Sequence, residues 1–290
     1  MSKQISYIDT HGHVNFPEYD ADREETIARA QEAGVGIITV GTDIESSRSA
    51  VSLAENHENM WAIVGIHPTE IVESSESLVL SQDKNNSELG TRNFQLERSD
   101  FQDLRRVALH PKVVAIGECG LDYFQADPAD IPAQAEAFEE HIAIANEAGK
   151  PLMLHVRNGK KKGDAAATGR DAYKDAIRIL KKSARTPFNF HFFAGSVEDM
   201  REIFAQGGTV SFTGVITFTR DYDELIKTAP LEKIMSETDC PYVAPVPYRG
   251  KRSEPVHVIE VVKAIARIRG EDEEKVRVAL LENARRFFEI

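Results

Sequence analysis

The chain has 290 residues, and its hydrophobic fraction of 41% and charged fraction of 28% exclude a disordered or fibrous protein. Its two cysteines are too few for a disulfide framework, and because neither a long apolar run nor a secretion signal is present, we expect a cytoplasmic protein with no membrane contact. The net charge of −12 disfavours non-specific coating of nucleic acid, so a polyanionic substrate would have to be held by local positive groups or by metal ions.

Short runs rich in Val, Ile and Phe alternate with amphipathic segments, a pattern typical of βα units around a parallel sheet. The predicted strands are 5–10, 36–41, 61–66, 113–117, 151–155, 187–193, 208–212 and 233–238. The predicted helices include 22–33, 46–57, 100–108, 132–148, 171–182, 197–205 and 253–268. Eight such units match the size of one (β/α)8 TIM-type barrel. A doubly wound open sheet is the alternative, but no glycine-rich phosphate-binding fingerprint follows the first strand.

The first predicted helix has recognisable signals at both of its ends. Asp22 and Glu25 resemble a capping box at the start of the first helix, and Gly34 suits a left-handed stop at its end.

Polar excursions at about 73–99 and 158–170 follow predicted strands, so both should lie on one rim of the barrel. Since no repeat or linker divides the chain, we expect residues 1–290 to form a single domain.

The strongest local motif is DTHGH at the end of the first strand. Because side chains alternate along a strand, Asp9, His11 and His13 should share one face, which is the interior of a barrel. Two neighbouring imidazoles suit Zn²⁺ or a similar divalent ion. The alternative is that one histidine is buried and hydrogen-bonded while the other caps a turn.

Polar residues that can ligate metals recur at the ends of other predicted strands. They are His67, Glu118, His155, His191 and Asp239. Active sites of such barrels are built where the carboxyl ends of the strands meet. The pattern therefore predicts a metal site at that end.

In these motifs the sequence resembles the TatD family of metal-dependent deoxyribonucleases, a branch of the amidohydrolase-like barrel superfamily. The matching segments are DTHGH at 9–13, GIHP at 65–68, IGECGLDY at 116–123, LHVR at 154–157, HFFAGS at 191–196 and ETDCPY at 237–242. Each segment alone is only moderately specific, but six in this order are highly specific.

The resemblance implies two divalent ions, Zn²⁺, Mg²⁺ or Mn²⁺. The implied ligands are His11 and His13 for one ion, Glu118 as the bridge, His155 and His191 for the other, and Asp239 to complete the site. A carboxylate can span two such ions through its two oxygens. Asp9 would orient an imidazole or the nearby water.

Other residues are weaker candidates for substrate contacts. His67 and Arg157 could hold phosphate oxygens, and Arg249, Lys251, Arg252 and the run Lys160, Lys161 and Lys162 could hold a strand at the rim. The alternatives are loop stabilisation for His67, an ion pair for Arg157 and solvated loops for the basic runs. The rings of Phe192, Phe193, Phe212 and Phe218 suit either the core or base stacking.

The resemblance implies a DNA phosphodiesterase, acting 3′ to 5′ on single-stranded ends through a metal-activated water, with Glu118 and Asp239 catalytic and Asp239 moving the proton. Another hydrolase on the same centre, acting on an aminoacyl-tRNA or on a small ester or phosphoester, is the first alternative. A non-catalytic, metal-bound nucleic-acid-binding scaffold is the second. The sequence does not determine the metal, the oligomeric state or the pathway.

Overall fold

The structure is a computed structural model that describes residues 4–71, 98–127, 129–159 and 170–290. Most of the two predicted polar excursions, including Lys160, Lys161 and Lys162, lies outside the described residues.

Eight parallel strands form one sheet, in which each strand pairs with the next along the chain. They are β1 (Tyr7–Gly12), β2 (Val35–Val40), β3 (Met60–Val64), β4 (Val113–Asp122), β5 (Leu152–Arg157), β6 (Phe188–Phe190), β7 (Thr209–Phe212) and β8 (Ile234–Ser236). The edge between β8 and β1 is bridged where Thr10 Oγ1 donates to Ser236 O at 3.0 Å and Asp239 N donates to His11 O at 2.8 Å. The predicted TIM-type barrel and all eight of its strands are confirmed.

Helices lie between the strands and follow the last one. They are α1 (Arg23–Glu32), α2 (Ile44–Asn56), α3 (Arg98–Ala108), α4 (Ile131–Ala148), α5 (Ala172–Ser183), α6 (Val197–Ala205), α7 (Asp223–Thr228), α8 (Val258–Arg269) and α9 (Glu273–Phe288). The sequence did not predict α7, which is too short to show a clear period, or α9. The buried residues of α9 do repeat with helical spacing, so that signal was present in the sequence. No helix in the described part of the chain is long and apolar enough to cross a membrane.

The start of α1 differs from the prediction. Asp22 occupies the N-cap position, but its side chain makes no capping hydrogen bond, so the predicted capping box is wrong. Its two carboxylate oxygens instead accept from Arg252 Nη1 and Nη2, each at 2.7 Å. A bidentate guanidinium is a stronger partner for a carboxylate than a backbone N–H. The left-handed stop is confirmed, because Gly34 has a φ of +76°.

The apolar core leaves one end of the barrel available for polar chemistry. Ile8, Ile38, Ile63, Ala115, Met153 and Met235, from six different strands, belong to one buried cluster with residues of α9. Side chains from strands all round a barrel can meet only in its interior. Because α9 contributes Phe287 and Phe288 to this cluster, it covers the end of the barrel away from the strands' carboxyl ends.

Candidate metal centre

The carboxylate of Glu118, on β4, lies between two pairs of histidines. Its Oε1 is 2.9 Å from His155 Nδ1 and 2.8 Å from His191 Nε2. Its Oε2 is 3.3 Å from His11 Nε2 and 3.7 Å from His13 Nε2. The residues come from the carboxyl ends of β1, β4 and β5 and from the residue after β6, so closure of the barrel brings them together.

Asp239 and His67 complete the cluster. Asp239 lies beside the histidine pair at Glu118 Oε2, and His67 lies beside Oε1. Asp239 Oδ1 is 3.4 Å from His13 Nε2 and 3.8 Å from His11 Nε2. His67 Nε2 is 3.3 Å from Glu118 Oε1. The structure therefore gathers all six ligands suggested by the sequence and places His67 beside them. Three groups of donor atoms lie within 4.8 Å of one another: His11, His13 and Glu118; His11, His191 and Asp239; and His67, Glu118 and His155.

Two of these imidazoles have a hydrogen-bond acceptor at the ring nitrogen that faces away from Glu118. His13 Nδ1 donates to Val40 O at 3.0 Å, and His155 Nε2 donates to Asp122 Oδ2 at 2.9 Å. When such a ring is neutral, its hydrogen is on the outer nitrogen and its lone pair is on the nitrogen that faces the cluster. Such partners on the outer nitrogen are typical of metal-ligating histidines. Sequence reasoning missed Asp122, although it stands in the IGECGLDY segment.

Glu237 is a second residue that the sequence analysis did not single out. It is fully buried, and its Oε1 lies 3.5 Å from His191 Nδ1. The same oxygen accepts from Phe192 N at 2.6 Å, and Oε2 accepts from Ser211 Oγ at 2.6 Å. Glu237 therefore anchors the segment that carries His191. Glu237 is the first residue of the ETDCPY segment, which could have pointed to it.

The donor set fits divalent cations. Both ring nitrogens of His11 are buried and make no hydrogen bond to any other described residue; Nε2 approaches Glu118 without the geometry of one. Buried polar atoms without a partner are costly, and a cation at Nε2 would remove part of that cost. Imidazole nitrogens together with carboxylate oxygens suit Zn²⁺ or Mn²⁺.

Both carboxylates of the cluster remain ionised. Burial raises the pKa of Glu118, but the imidazoles of His191, His67 and His11 outweigh it and hold that pKa well below its ordinary value. Burial likewise raises the pKa of Asp239, and the hydrogen bond and charge of His13, together with neighbouring imidazoles, bring it below its ordinary value. Two buried anions among imidazoles create a strong local preference for positive charge.

The Asp9 carboxylate is hydrogen-bonded to Thr238, and its expected role in orienting an imidazole or a nearby water stays a prediction. Its Oδ1 accepts from Thr238 N at 2.8 Å, and its Oδ2 is paired with Thr238 Oγ1 at 2.6 Å. Burial raises the pKa of Asp9 well above its ordinary value. Because Thr238 directly precedes Asp239, Asp9 supports the loop that presents Asp239 to the cluster.

The basic side chains that were expected to contact substrate differ in their placement. Arg157 borders the cavity described below, and its guanidinium lies 3.8 Å above the Phe124 ring. Arg249 lies 3.7 Å above Phe218, and Lys251 is exposed; neither lines that cavity. Arg252 is bound to the Asp22 carboxylate and also donates to Glu18 O at 2.7 Å. Because these contacts engage both terminal nitrogens of Arg252, it is a weaker candidate for the expected substrate contact than Arg157, and that contact stays a prediction.

A cavity of about 870 Å³ opens above the cluster. Its wall includes His13, Glu118, His155, His191 and Asp239, together with Arg157 and aromatic side chains. This volume lies within the usual range for small-ligand sites. The clustered donors are therefore accessible to a substrate, and the cavity gives them a concave chamber.

The sequence profile of the family described as TatD related DNase matches residues 8–289. The chain belongs to this family. It is 33% identical over 289 residues to the uncharacterized metal-dependent hydrolase YabD of Bacillus subtilis, a match that covers 98% of this chain and 99% of YabD. It is 31% identical to the 3′-5′ ssDNA/RNA exonuclease TatD of Erwinia tasmaniensis, with coverage of 96% of this chain and 98% of that protein.

A solved structure agrees with this family relationship. The TatD homologue YJJV of Escherichia coli superposes with a TM-score of 0.79 at 26% identity, covering 98% of each chain. The chain is thus a TatD-family metal-dependent hydrolase with the barrel fold of that family.

Proposed function

We propose that this TatD-family hydrolase cleaves phosphodiester bonds of single-stranded DNA from the 3′ end, using two divalent ions held on either side of Glu118. The supporting observation is that each oxygen of this buried carboxylate faces a different pair of histidines. A carboxylate between two nitrogen pairs can bridge two divalent ions through its two oxygens.

The proposed ligands divide into two sets around Glu118. One set lies on the side of Oε2 and consists of His11, His13 and Asp239. The other set lies beside Oε1 and consists of His155 and His191. When bound, divalent ions would neutralise the charge of the scissile phosphate and lower the pKa of a nearby water. Zn²⁺, Mn²⁺ and Mg²⁺ are the candidates, since the nitrogen donors suit the first two and phosphate chemistry commonly uses the last.

Asp239 is the group best placed to move a proton. Asp239 lines the cavity, and its Oδ1 lies 3.4 Å from His13 Nε2. Neighbouring imidazoles keep the pKa of Asp239 low despite its burial, so at neutral pH Oδ1 is able to accept a proton from an attacking water. The same proton can then be returned to the leaving 3′ oxygen.

His67 is suited to hold a phosphate oxygen. Thr69 N donates to His67 Nδ1 at 3.2 Å, so that nitrogen carries no hydrogen. The ring proton is then on Nε2, which lies 3.3 Å from Glu118 Oε1, and His67 is one of the residues that line the cavity. Arg157 on the same wall adds a full positive charge. Arg157 thus supplies local positive charge and His67 a neutral N–H donor, which a protein of net charge −12 needs to hold a polyanion.

Linear and circular single strands of equal sequence provide the test. An enzyme that needs a terminus in its cavity should degrade the linear strand to mononucleotides and spare the circle. Rapid nicking of circles would overturn the exonuclease assignment. Turnover of aminoacyl esters or small phosphoesters, with none of DNA, would instead assign the centre to another ester hydrolase.

A further inference from the structure

Three exposed aromatic rings of the described chain lie at the carboxyl-terminal rim of the barrel. Phe124, Phe218 and Tyr242 are 38%, 41% and 51% exposed. They follow β4, β7 and β8, the end at which the histidines cluster. Phe193 and Phe212, which the sequence left open as stacking candidates, are buried in the core. The solvent-facing rings are therefore concentrated where a substrate would enter.

Tyr242 is held at the cavity mouth by a constrained turn. Its backbone N donates to Asp239 O at 3.0 Å, which ties the Tyr242 backbone to that of Asp239. The next residue, Val243, has a φ of +48°, an unfavourable conformation for a β-branched side chain. Gly214 permits this turn, because a Cβ there would lie 2.4 Å from Val243 O. The surrounding structure thus maintains a strained backbone that leaves the Tyr242 ring half exposed.

The opposite wall carries a planar cation. In a barrel closed between β8 and β1, the strands β4 and β5 lie across the mouth from that junction. Arg157 ends β5, and its guanidinium is stacked 3.8 Å above the Phe124 ring, which follows β4. Asp122 fixes this loop by accepting from Phe124 N at 2.8 Å. This contact places the guanidinium beside the Phe124 ring at the cavity wall.

We propose that Tyr242 and the Arg157–Phe124 stack bind the nucleotides on either side of the scissile phosphate, with Tyr242 stacking against an unpaired base. This inference rests on the proposed nuclease function and assigns the residues that select a single strand. A paired base within a duplex has its faces covered by its neighbours, whereas an unpaired terminal base can place one face on an aromatic ring. Arg157 contributes charge and a flat surface on the other side.

The test combines a protein variant with the removal of one base from the substrate. Metal-loaded wild type, Tyr242→Ala and Tyr242→Phe are compared on linear single strands that carry either a base or an abasic residue at each terminal position in turn. Stacking on an aromatic ring predicts that Tyr242→Ala lowers kcat/KM on intact strands by roughly 5-fold to 150-fold. Tyr242→Phe should retain most of the wild-type value, because the ring remains.

Combining Tyr242→Ala with removal of one base measures the interaction between the Tyr242 ring and that base. At one terminal position, removing the base should penalise the wild type but add little further loss in Tyr242→Ala, because both changes delete the same contact. Leu109→Ala, at an exposed apolar residue before β4 and therefore at the other end of the barrel, is the matched control and should behave as wild type. Equal abasic penalties in wild type and Tyr242→Ala at every position would overturn the inference while leaving the nuclease proposal intact. A wild type that does not cleave DNA at all would overturn the proposed function itself.

Discussion

Asp122 Oδ2 accepts a hydrogen bond from His155 Nε2 at 2.9 Å, on the ring nitrogen opposite the one that faces Glu118. The carboxylate thereby fixes the orientation of the imidazole and holds a proton on Nε2.

Replacing Asp122 should weaken metal binding without removing a ligand. Loss of such an orienting carboxylate typically lowers metal affinity by about 10-fold to 100-fold, which is the effect that we expect for Asp122→Asn in calorimetric titrations with Zn²⁺ or Mn²⁺. Asp175→Asn is the matched control, because Asp175 accepts from Tyr123 Oη at 2.9 Å and lies outside the donor groups of the cluster. Equal metal affinities in Asp122→Asn and Asp175→Asn would show that Asp122 does not orient His155 for metal binding.

Asp239→Asn should separate proton handling from binding. An asparagine oxygen can still face His13 but cannot take up a proton, so we expect retention of at least one ion and of single-strand binding. The rate should fall by about 10²-fold to 10⁴-fold, the usual contribution of general acid–base catalysis. Metal content, oligonucleotide binding and kcat are measured on the same preparation. A variant that no longer binds any metal would make Asp239 chiefly a structural ligand.

Arg157 and Arg252 should differ in their effect on the salt dependence of DNA binding. Removal of one phosphate contact flattens the log–log slope for a single strand by about 0.7, and this is expected for Arg157→Gln. Arg252→Gln should leave the slope unchanged, because the Arg252 guanidinium is already bound to Asp22. Binding isotherms at several salt concentrations provide the comparison, and a flattened slope in Arg252→Gln alone would reverse the assignment.

His141 should make the fold sensitive to acid. Burial lowers the pKa of His141 to about 4 from its ordinary 6.5, while the ring accepts from Ile66 N at 3.0 Å. The unfolded chain therefore binds a proton below pH 6.5 that the folded chain excludes until about pH 4. From this group alone, the free energy of unfolding is unaffected well above pH 6.5 and falls by roughly 3 kcal/mol as the pH drops to about 4.

Chemical denaturation at several pH values, with metal removed by chelator, tests this contribution. His141→Gln should be less stable at neutral pH, but its free energy of unfolding should decline less steeply between pH 6.5 and 4, since the amide does not titrate. Parallel declines in the two proteins would show that other groups cause the acid sensitivity.

The barrel and the six candidate ligands were predictable because both depend on local order along the chain. His11 and His13 follow one apolar run, and Glu118 ends another, so a parallel barrel is enough to bring them to one end. The role of Asp22 was not predictable, because its partner Arg252 is 230 residues away and only the closed fold brings them together. The exposure of Phe218 and the burial of Phe212 likewise depend on how loops pack.

Glu118 provides the most direct test of the central claim that this chain is a two-metal DNA hydrolase. Release of mononucleotides from linear single-stranded DNA is followed for wild type and Glu118→Gln after chelation and restoration of Zn²⁺, Mn²⁺ or Mg²⁺, with bound metal quantified in the same samples. The wild type should lose activity on chelation and regain it with metal, whereas Glu118→Gln should remain folded by circular dichroism, bind less metal and release no mononucleotide. Wild-type turnover by Glu118→Gln would contradict the account.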